Sequence, residues 1–425
     1  MLAAGPRPSA ARPGRSRASD YAGAVRDEDG LRRDGGDGRL RVLVDATAVP
    51  PDRGGVGRYL DAVLPAMAAR DRADLVVVVQ RRDERTMRSL VPGATLLVAP
   101  AAIDRRPVRL IWEQVALPRI AARERADVVL SPHYTVPLLS RVPVVATLHD
   151  ATFFSHPELH SRVKAVFFRT AIRVAVRRAA RLVVPSRATL DEVVRFTGAD
   201  RSRFVVALHG VDAAVFRPVP EAEQARVRES LALPTGRYVA FLGTLEPRKN
   251  VPALVRGWVD AVRDLPEPPA LVLAGGPGWD TEVGPTVDAV PAGLTVLRPG
   301  YLPLDDLAGF LGGAQVVAYP SLGEGFGLPV LEAMACGAAV LTSRELSLTE
   351  VGGDAVEYTE VDATSIGRAL RGLLDDAGRR AALGRAALER AALFTWARSA
   401  DAHLDALDAA VRPASGQRAA RSPRR

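Results

Sequence analysis

Two successions of short, nearly unbroken aliphatic runs constrain this chain more than any other feature. In the first, "RLRVLVDAT" (39–47) leads to "DLVVVVQ" (74–80), "ADVVLSP" (126–132), "VPVVATLHD" (142–150) and "ARLVVPS" (180–186), with helical stretches such as "LDAVLPAMAAR" between them. After "HGVDAAVFRPVPEAEQARVRESLALPTG" (209–236) the rhythm restarts with "RYVAFLGTLEPRKN", "PALVLAGGPGW", "LTVLRPGYL", "AQVVAYPSLGEGFG" and "GAAVLTS". A strand that is apolar on both faces has to be covered on both faces, and parallel strands acquire that cover from helical crossovers. The expected fold class is α/β: two tandem Rossmann-like, doubly wound parallel-sheet domains facing a cleft.

The expected organisation is a disordered leader (1–39), an N-terminal Rossmann-like acceptor domain (40–215), a linker (216–234), a C-terminal Rossmann-like sugar-nucleotide-binding domain (235–395), a C-terminal helix (396–411) and a disordered basic tail (412–425). The leader has no apolar run of the length a secretory signal needs, and no stretch of 18 apolar residues suits a membrane span. A single cysteine, Cys336, leaves no disulfide framework and points to a reducing, cytoplasmic setting. The net charge of +8 divides into +2 for the leader, +5 for the tail and only +1 for the body, which argues against nucleic acid as a partner. Lysine is scarce, with only Lys164 and Lys249 among 57 basic residues.

In open parallel sheets ligands sit beyond the carboxyl ends of the strands. "SLGEGFGLPVLEAMACG" follows one such strand, with Glu324 in the loop and Glu332 about one turn into the helix that Pro329 opens and Gly337 closes. Glycines 323, 325 and 327 let backbone amides approach an anion at the helix's positive end, and ionised carboxylates accept from hydroxyls. Together these features suit a sugar nucleotide, with the alternative that Glu332 only answers the helix dipole and Glu324 is a surface charge. "GTLEPRKN" brings Arg248 and Lys249 to a strand end before Asn250 as a cap, a position where cations are favourable only beside an anion. "PDRGGVGRY" is a glycine loop without the third glycine of a dinucleotide fingerprint. His149 ends an aliphatic strand beside Asp150, either to meet a substrate hydroxyl in proton transfer or as a buried structural histidine. The other histidines show no metal-ligand spacing in sequence, the D-x-D of 27–29 falls in the leader, and Ser186 reads as a helix cap. Within "SRVKAVFFRTAIRVAVRRAARL" (161–182), Arg162, Arg169, Arg173 and Arg177 share a quarter-turn near Phe167 and Phe168, as on a helix resting on an anionic bilayer or on an ordinary surface helix.

These motifs, in order through "GGVGRY", "TLHD", "VVPS", "HGVDAAVFRP", "GTLEPRKN", "LAGGPG" and "PGYLPLDDLAGFLGGAQVVAYPSLGEGFGLPVLEAMACG", resemble the family 4 glycosyltransferases, retaining enzymes of the GT-B fold, over about Leu40–Val411. The resemblance implies that Glu324 binds the donor sugar and Glu332 the ribose, while Gly325, Phe326, Gly327 and Leu328 offer amides to sugar and phosphate. It implies further that Lys249, helped by Arg248, meets the diphosphate, that Gly54 and Gly55 close over it, that His149 lies beside the transferred sugar, and that Tyr301 and Leu302 meet the base. Some relatives carry Arg where Thr244 stands. The wording of "GTLEPRKN" is most similar to bacterial mannosyltransferases, so GDP-mannose is the expected donor and a glycan or lipid-linked acceptor the expected partner, for polysaccharide or glycolipid synthesis without a metal or other cofactor. A sugar-nucleotide epimerase, a phosphorylase and a silent sugar-nucleotide-binding protein are the competing readings.

Overall fold

The computed structural model describes residues 38–50, 53–233 and 236–412, so the expected disorder of the leader and tail falls outside the described residues apart from Gly38, Arg39 and Arg412. Each aliphatic run is a strand. In the first half these are β1 (Leu40–Asp45), β2 (Ala73–Val79), β3 (Thr95–Val98), β4 (Val128–Ser131), β5 (Val144–Thr147), β6 (Arg181–Val184) and β7 (Phe204–Val206). They pair in the order β3-β2-β1-β4-β5-β6-β7, parallel throughout, with Val42 opposite both Leu75 and Val128.

The period of two along β1 divides the core. Val42 and Val44 face the helices Gly54–Ala68 and Trp396–Val411, whereas Leu43 faces the helices Arg106–Arg123 and Arg162–Arg178 on the opposite side. Covered on both faces, Val42, Leu43 and Val44 are wholly buried, which is why the strand needs no polar side.

The second half repeats the plan with β8 (Tyr238–Leu242), β9 (Ala270–Ala274), β10 (Val296–Gly300), β11 (Val316–Tyr319), β12 (Val340–Ser343) and β13 (Glu357–Thr359), ordered β10-β9-β8-β11-β12-β13 and again parallel. Here the helix Val251–Val262 packs on the helix Ala363–Asp375 so closely that Gly257 and Gly367 admit no side chain: a Cβ on Gly257 would lie 2.6 Å from the Ala363 carbonyl oxygen.

Three strands had no distinct signal in the sequence. β3, β7 and β13 are edge strands: β3 (TLLV) and β7 (FVV) are apolar but only four and three residues long, and β13 (EYT) is mostly polar as well as short. The stretch expected as a linker, 216–234, contains the helix Glu221–Ser230, which is anchored in the second core through Val227 and flanked there by Phe216, Val219 and Leu231. Apart from Ala222 and Ala225 its remaining positions are polar, so apolar periodicity does not reveal it.

Candidate active site

Strand order reverses between β8 and β11, and the loops that leave their carboxyl ends diverge there to open a crevice. Arg248 and Lys249 follow β8, and Glu324 follows β11. Lys249 Nζ lies 2.7 Å from Glu324 Oε1, and the same oxygen accepts from the Ser321 hydroxyl at 2.6 Å and the Tyr319 hydroxyl at 3.0 Å. Arg248 pairs with the other oxygen, Oε2, and also donates to the Gly323 carbonyl at 3.1 Å. All four side chains that hold this carboxylate come from two strand ends.

Burial alone would raise the Glu324 pKa, but the charges of Arg248 and Lys249 outweigh it and hold the carboxyl at about 2. Lys249 is buried as well; burial and the neighbouring Arg248 leave its pKa below the usual lysine value, with Glu324 opposing. The two cations and the acid expected to work together are therefore one cluster. Asn250, expected as a side-chain cap, stands at the N-terminus of the Val251–Val262 helix in a left-handed conformation, but its amide donates to Pro320 O and Val361 O at 3.2 and 2.7 Å. It pins the end of β11 instead.

The glycine loop beyond Glu324 leads into the helix Leu328–Ala335 through Gly327, whose φ of +99° is a left-handed conformation that glycine accepts without strain. Among the described residues no protein acceptor takes the amides of Gly323, Glu324, Gly325, Phe326 or Gly327. A run of free amides at a helix N-terminus is an arrangement that receives anions. Gly325 is obligatory for another reason: a Cβ there would lie 1.8 Å from the His149 carbonyl oxygen of the first half. Its own carbonyl accepts from Ser186 Oγ at 2.7 Å and Thr189 Oγ1 at 3.1 Å, so Ser186 both caps its helix and ties the two halves together. The Phe326 ring packs on His209 and Phe394, which leaves only its backbone for a ligand.

Glu332 is not part of the lysine cluster. It is buried one turn into the helix and paired with Arg58, which comes from the first turn of the Gly54–Ala68 helix in the first half. Among the described residues its Oε2 has no partner, and burial pushes its pKa up to about 7 against the pull of Arg58. Gly54 and Gly55 are exposed just ahead of Arg58, at that helix's N-terminus. His149 sits at the end of β5, with its Nε2 2.8 Å from Pro132 O, which assigns the proton to Nε2 and leaves Nδ1 as the ring's acceptor. Burial lowers its pKa, so the ring is neutral at neutral pH. Tyr59 and Tyr134 pack edge-on against it. Tyr301, largely exposed after β10, leaves its hydroxyl over Gly276, and Leu302 packs on the second core; neither touches the lysine cluster.

Family models match nearly the whole of both halves: "Glycosyltransferase Family 4" over residues 53–215 and "Glycosyl transferases group 1" over 223–390. O-antigen chain mannosyltransferase B of Escherichia coli is 30% identical over 365 residues, covering 80% of this chain and 92% of the relative. The chain belongs to glycosyltransferase family 4. Another relative is D-inositol 3-phosphate glycosyltransferase of Acidothermus cellulolyticus, 31% identical over 81% of this chain and 83% of its own length. Among solved structures, HepE of Anabaena in complex with UDP and glucose superposes with a TM-score of 0.70 at 18% identity, covering 87% of this chain and all of that one. WaaG, a glycosyltransferase involved in lipopolysaccharide biosynthesis, gives a TM-score of 0.68 at 14% identity over 86% and 99%. The two tandem parallel sheets are thus the GT-B fold, and the enzyme is a glycosyltransferase.

In this family 4 chain, sequence reasoning missed the residues that complete each site. Tyr319 and Ser321 flank Pro320 beside Glu324, and the sequence marks them only as the strand's last residue and the loop's first; Arg58 lies 274 positions from Glu332, and no local pattern links them. The same holds for a buried group in the first half, where Asp45, Glu113 and His133 lie at metal-ligand separation although their sequence spacing is irregular. Arg109 already occupies that group, 3.1 Å from Glu113 Oε2 and 3.6 Å from Asp45 Oδ2, and supplies positive charge itself. Thr135 closes the network by donating to Glu113 at 2.7 Å.

Proposed function

We propose that this glycosyltransferase moves a glycosyl unit from a nucleoside diphosphate sugar to a hydroxyl of a glycan or lipid-linked acceptor, with retained anomeric configuration, in synthesis of a cell-surface polysaccharide or glycolipid. The observation that carries the reading is the convergence of Lys249, Arg248 and Glu324 at the β8/β11 reversal beside five amides with no acceptor among the described residues. As the sugar–phosphate bond breaks, negative charge accumulates on the departing diphosphate, and pre-positioned cations and amides stabilise it without reorganising at that moment. Lys249 and Arg248 are the cations at hand, and the helix end adds a partial positive charge. They supply charge that would otherwise call for a bound metal, so no resident metal or cofactor is proposed.

Glu324 is the acceptor for donor-sugar hydroxyls, and Glu332, with its unpartnered oxygen, the acceptor for the ribose hydroxyls. Gly54 and Gly55 are assigned to cover the diphosphate with backbone free of side chains, and the Nδ1 of neutral His149 to accept from a hydroxyl of the transferred sugar; the exposure of both glycines and the Nε2–Pro132 O contact support these roles. Tyr301 and Leu302 are assigned to the base. Mannose from GDP-mannose is the first donor to try, supported by the name of the E. coli relative; the UDP and glucose in the HepE structure make UDP-glucose the natural comparison.

Thermal unfolding with GDP-mannose, UDP-glucose and dTDP-glucose tests the donor class without any acceptor. A donor at a hundred times its Kd stabilises the fold by about 2.7 kcal/mol. If none of the three shifts the transition, the donor reading fails. Lys249→Ala is expected to lower transfer by about 10²–10³-fold with an unchanged circular dichroism spectrum. Wild-type turnover in that variant removes Lys249 from the site.

A further inference from the structure

One face of the first sheet is covered by two neighbouring helices, Arg106–Arg123 and Arg162–Arg178, which share a single core beneath them. Their outer sides are unusually apolar. At 100° per residue Val108, Ile111 and Val115 fall on one side of the first helix, and Val163, Val166 and Phe167 on one side of the second. All six are exposed, with Ile111 66% and Val163 82% accessible. Between the helices the loop after β4 adds Leu138 and Leu139, the latter 66% exposed. Gln114 anchors that loop to the first helix through Leu138 N at 2.8 Å and Val136 O at 3.0 Å, and Tyr134 anchors it to the second by packing against Phe168 at 5.0 Å. The three apolar groups thus rest on a common floor.

Exposed charge within these segments has one sign, with the acids Asp104 and Glu158 at their margins. Residues 105–123, 133–149 and 161–190 contain one acid, Glu113, which is wholly buried against Arg109. Exposed Arg105, Arg106, Arg119, Arg141, Arg162, Arg173, Arg177 and Arg178 have no ion pair among the described residues. The division is finer than the sequence implied: Arg169, expected among the free cations, is half-buried and donates to Phe153 O at 2.6 Å, bracing the segment that follows His149. Arg173 and Arg177 instead continue the Val163–Phe167 stripe.

We propose that this face docks on a bilayer rich in anionic lipid, with Ile111, Val115, Leu138, Leu139, Val166 and Phe167 entering the headgroup–acyl boundary and the surrounding arginines meeting the phosphates. Charge complementarity selects this occupant: apolar side chains in a predominantly basic surround fit an apolar layer beneath a negative one. Among the described residues no helix is long and apolar enough to cross a membrane, so the attachment is peripheral and reversible. The proposal does not depend on the donor assignment, because neither nucleotide nor acceptor takes part in it.

Vesicle flotation of the full chain tests it, with phosphatidylcholine alone and with about 30% phosphatidylglycerol added, whose negative surface potential attracts basic surface segments. The wild type is expected to float with the mixed vesicles at low salt and to remain behind with the neutral ones. Leu138→Ser/Leu139→Ser/Val166→Ser/Phe167→Ser, which keeps every arginine and both basic termini, is expected to lose binding by at least about tenfold with its thermal transition unchanged. The thermal transition reports any folding penalty from these partly exposed side chains; a second variant, Arg173→Gln/Arg177→Gln, tests the charge separately and is expected to shift binding to lower salt. Undiminished flotation of the serine variant would assign binding to the termini and overturn the proposal, as would failure of the wild type to float or equal flotation on neutral vesicles.

Discussion

Glu332 is buried against a single cation, and that determines how it answers pH. Its carboxyl is raised to about 7 in the folded chain from 4.5, by burial first, with Arg58 only partly compensating. Between those two values the native state holds the extra proton, so this residue's contribution to stability falls as pH rises from about 4.5 to 7 and is level above. Arg58→Ala removes the compensating charge. It is expected to cost about 1–3 kcal/mol at pH 8.5, discounted because the arginine is 39% exposed, and clearly less at pH 6, where the carboxyl can be neutral. Urea unfolding of the wild type, Arg58→Ala and Arg58→Ala/Glu332→Gln at both pH values checks this, since His149, His209 and His403, whose pKa values burial lowers, act in every variant alike. An Arg58→Ala cost that is the same at both pH values, or that the second substitution does not relieve, would show that the pair carries no buried charge. The sequence announced Glu332 by its spacing from Glu324, but its partner is set by the approach of the two halves.

The element that decides the site's shape is the loop between β11 and the Leu328–Ala335 helix. It carries Glu324 toward the cations of β8 and presses Gly325 against the backbone of His149. Gly325→Ala is therefore expected to destabilise the fold by about 1–3 kcal/mol or more, because a Cβ 1.8 Å from a carbonyl oxygen cannot be relieved by rotating a side chain. It should also weaken nucleotide binding, as the loop is displaced together with its amides. A variant with the wild-type urea midpoint would mean that the loop does not dock on the first half. Much of this was legible beforehand: the glycine pattern, Pro329 and Gly337 locate the loop and both helix ends. What escaped was the packing purpose of Gly325, since a glycine that frees an amide and one that admits a neighbouring backbone are the same letter.

Across the whole molecule, the last helix belongs by sequence to the second half but by packing to the first. Trp396–Val411 lies against the Gly54–Ala68 helix, burying Ala400, Leu404 and Leu407 in the core beneath β1 and β4, while Arg70 and Arg72 bind Asp401, Asp405 and Asp408 at its surface. Leu404→Ala is expected to cost about 2–5 kcal/mol, and limited proteolysis should find the first half opened before the second. Earlier cleavage in the second sheet would contradict that packing. The buried Tyr59–His403 contact of 2.6 Å lies in the same interface and joins the helix to the cluster around His149. The linear order of residues was sufficient for the two parallel sheets apart from the edge strands β3, β7 and β13, and for the acid, amine and glycine positions, because strand hydrophobicity, chain breakers and rare residue types are local properties of the chain. Which cation faces which carboxylate, where the C-terminal helix returns, and the joining of three separate apolar stripes into one basic-rimmed face depend on contacts between residues far apart in sequence, and only tertiary packing within and between the two halves fixes those.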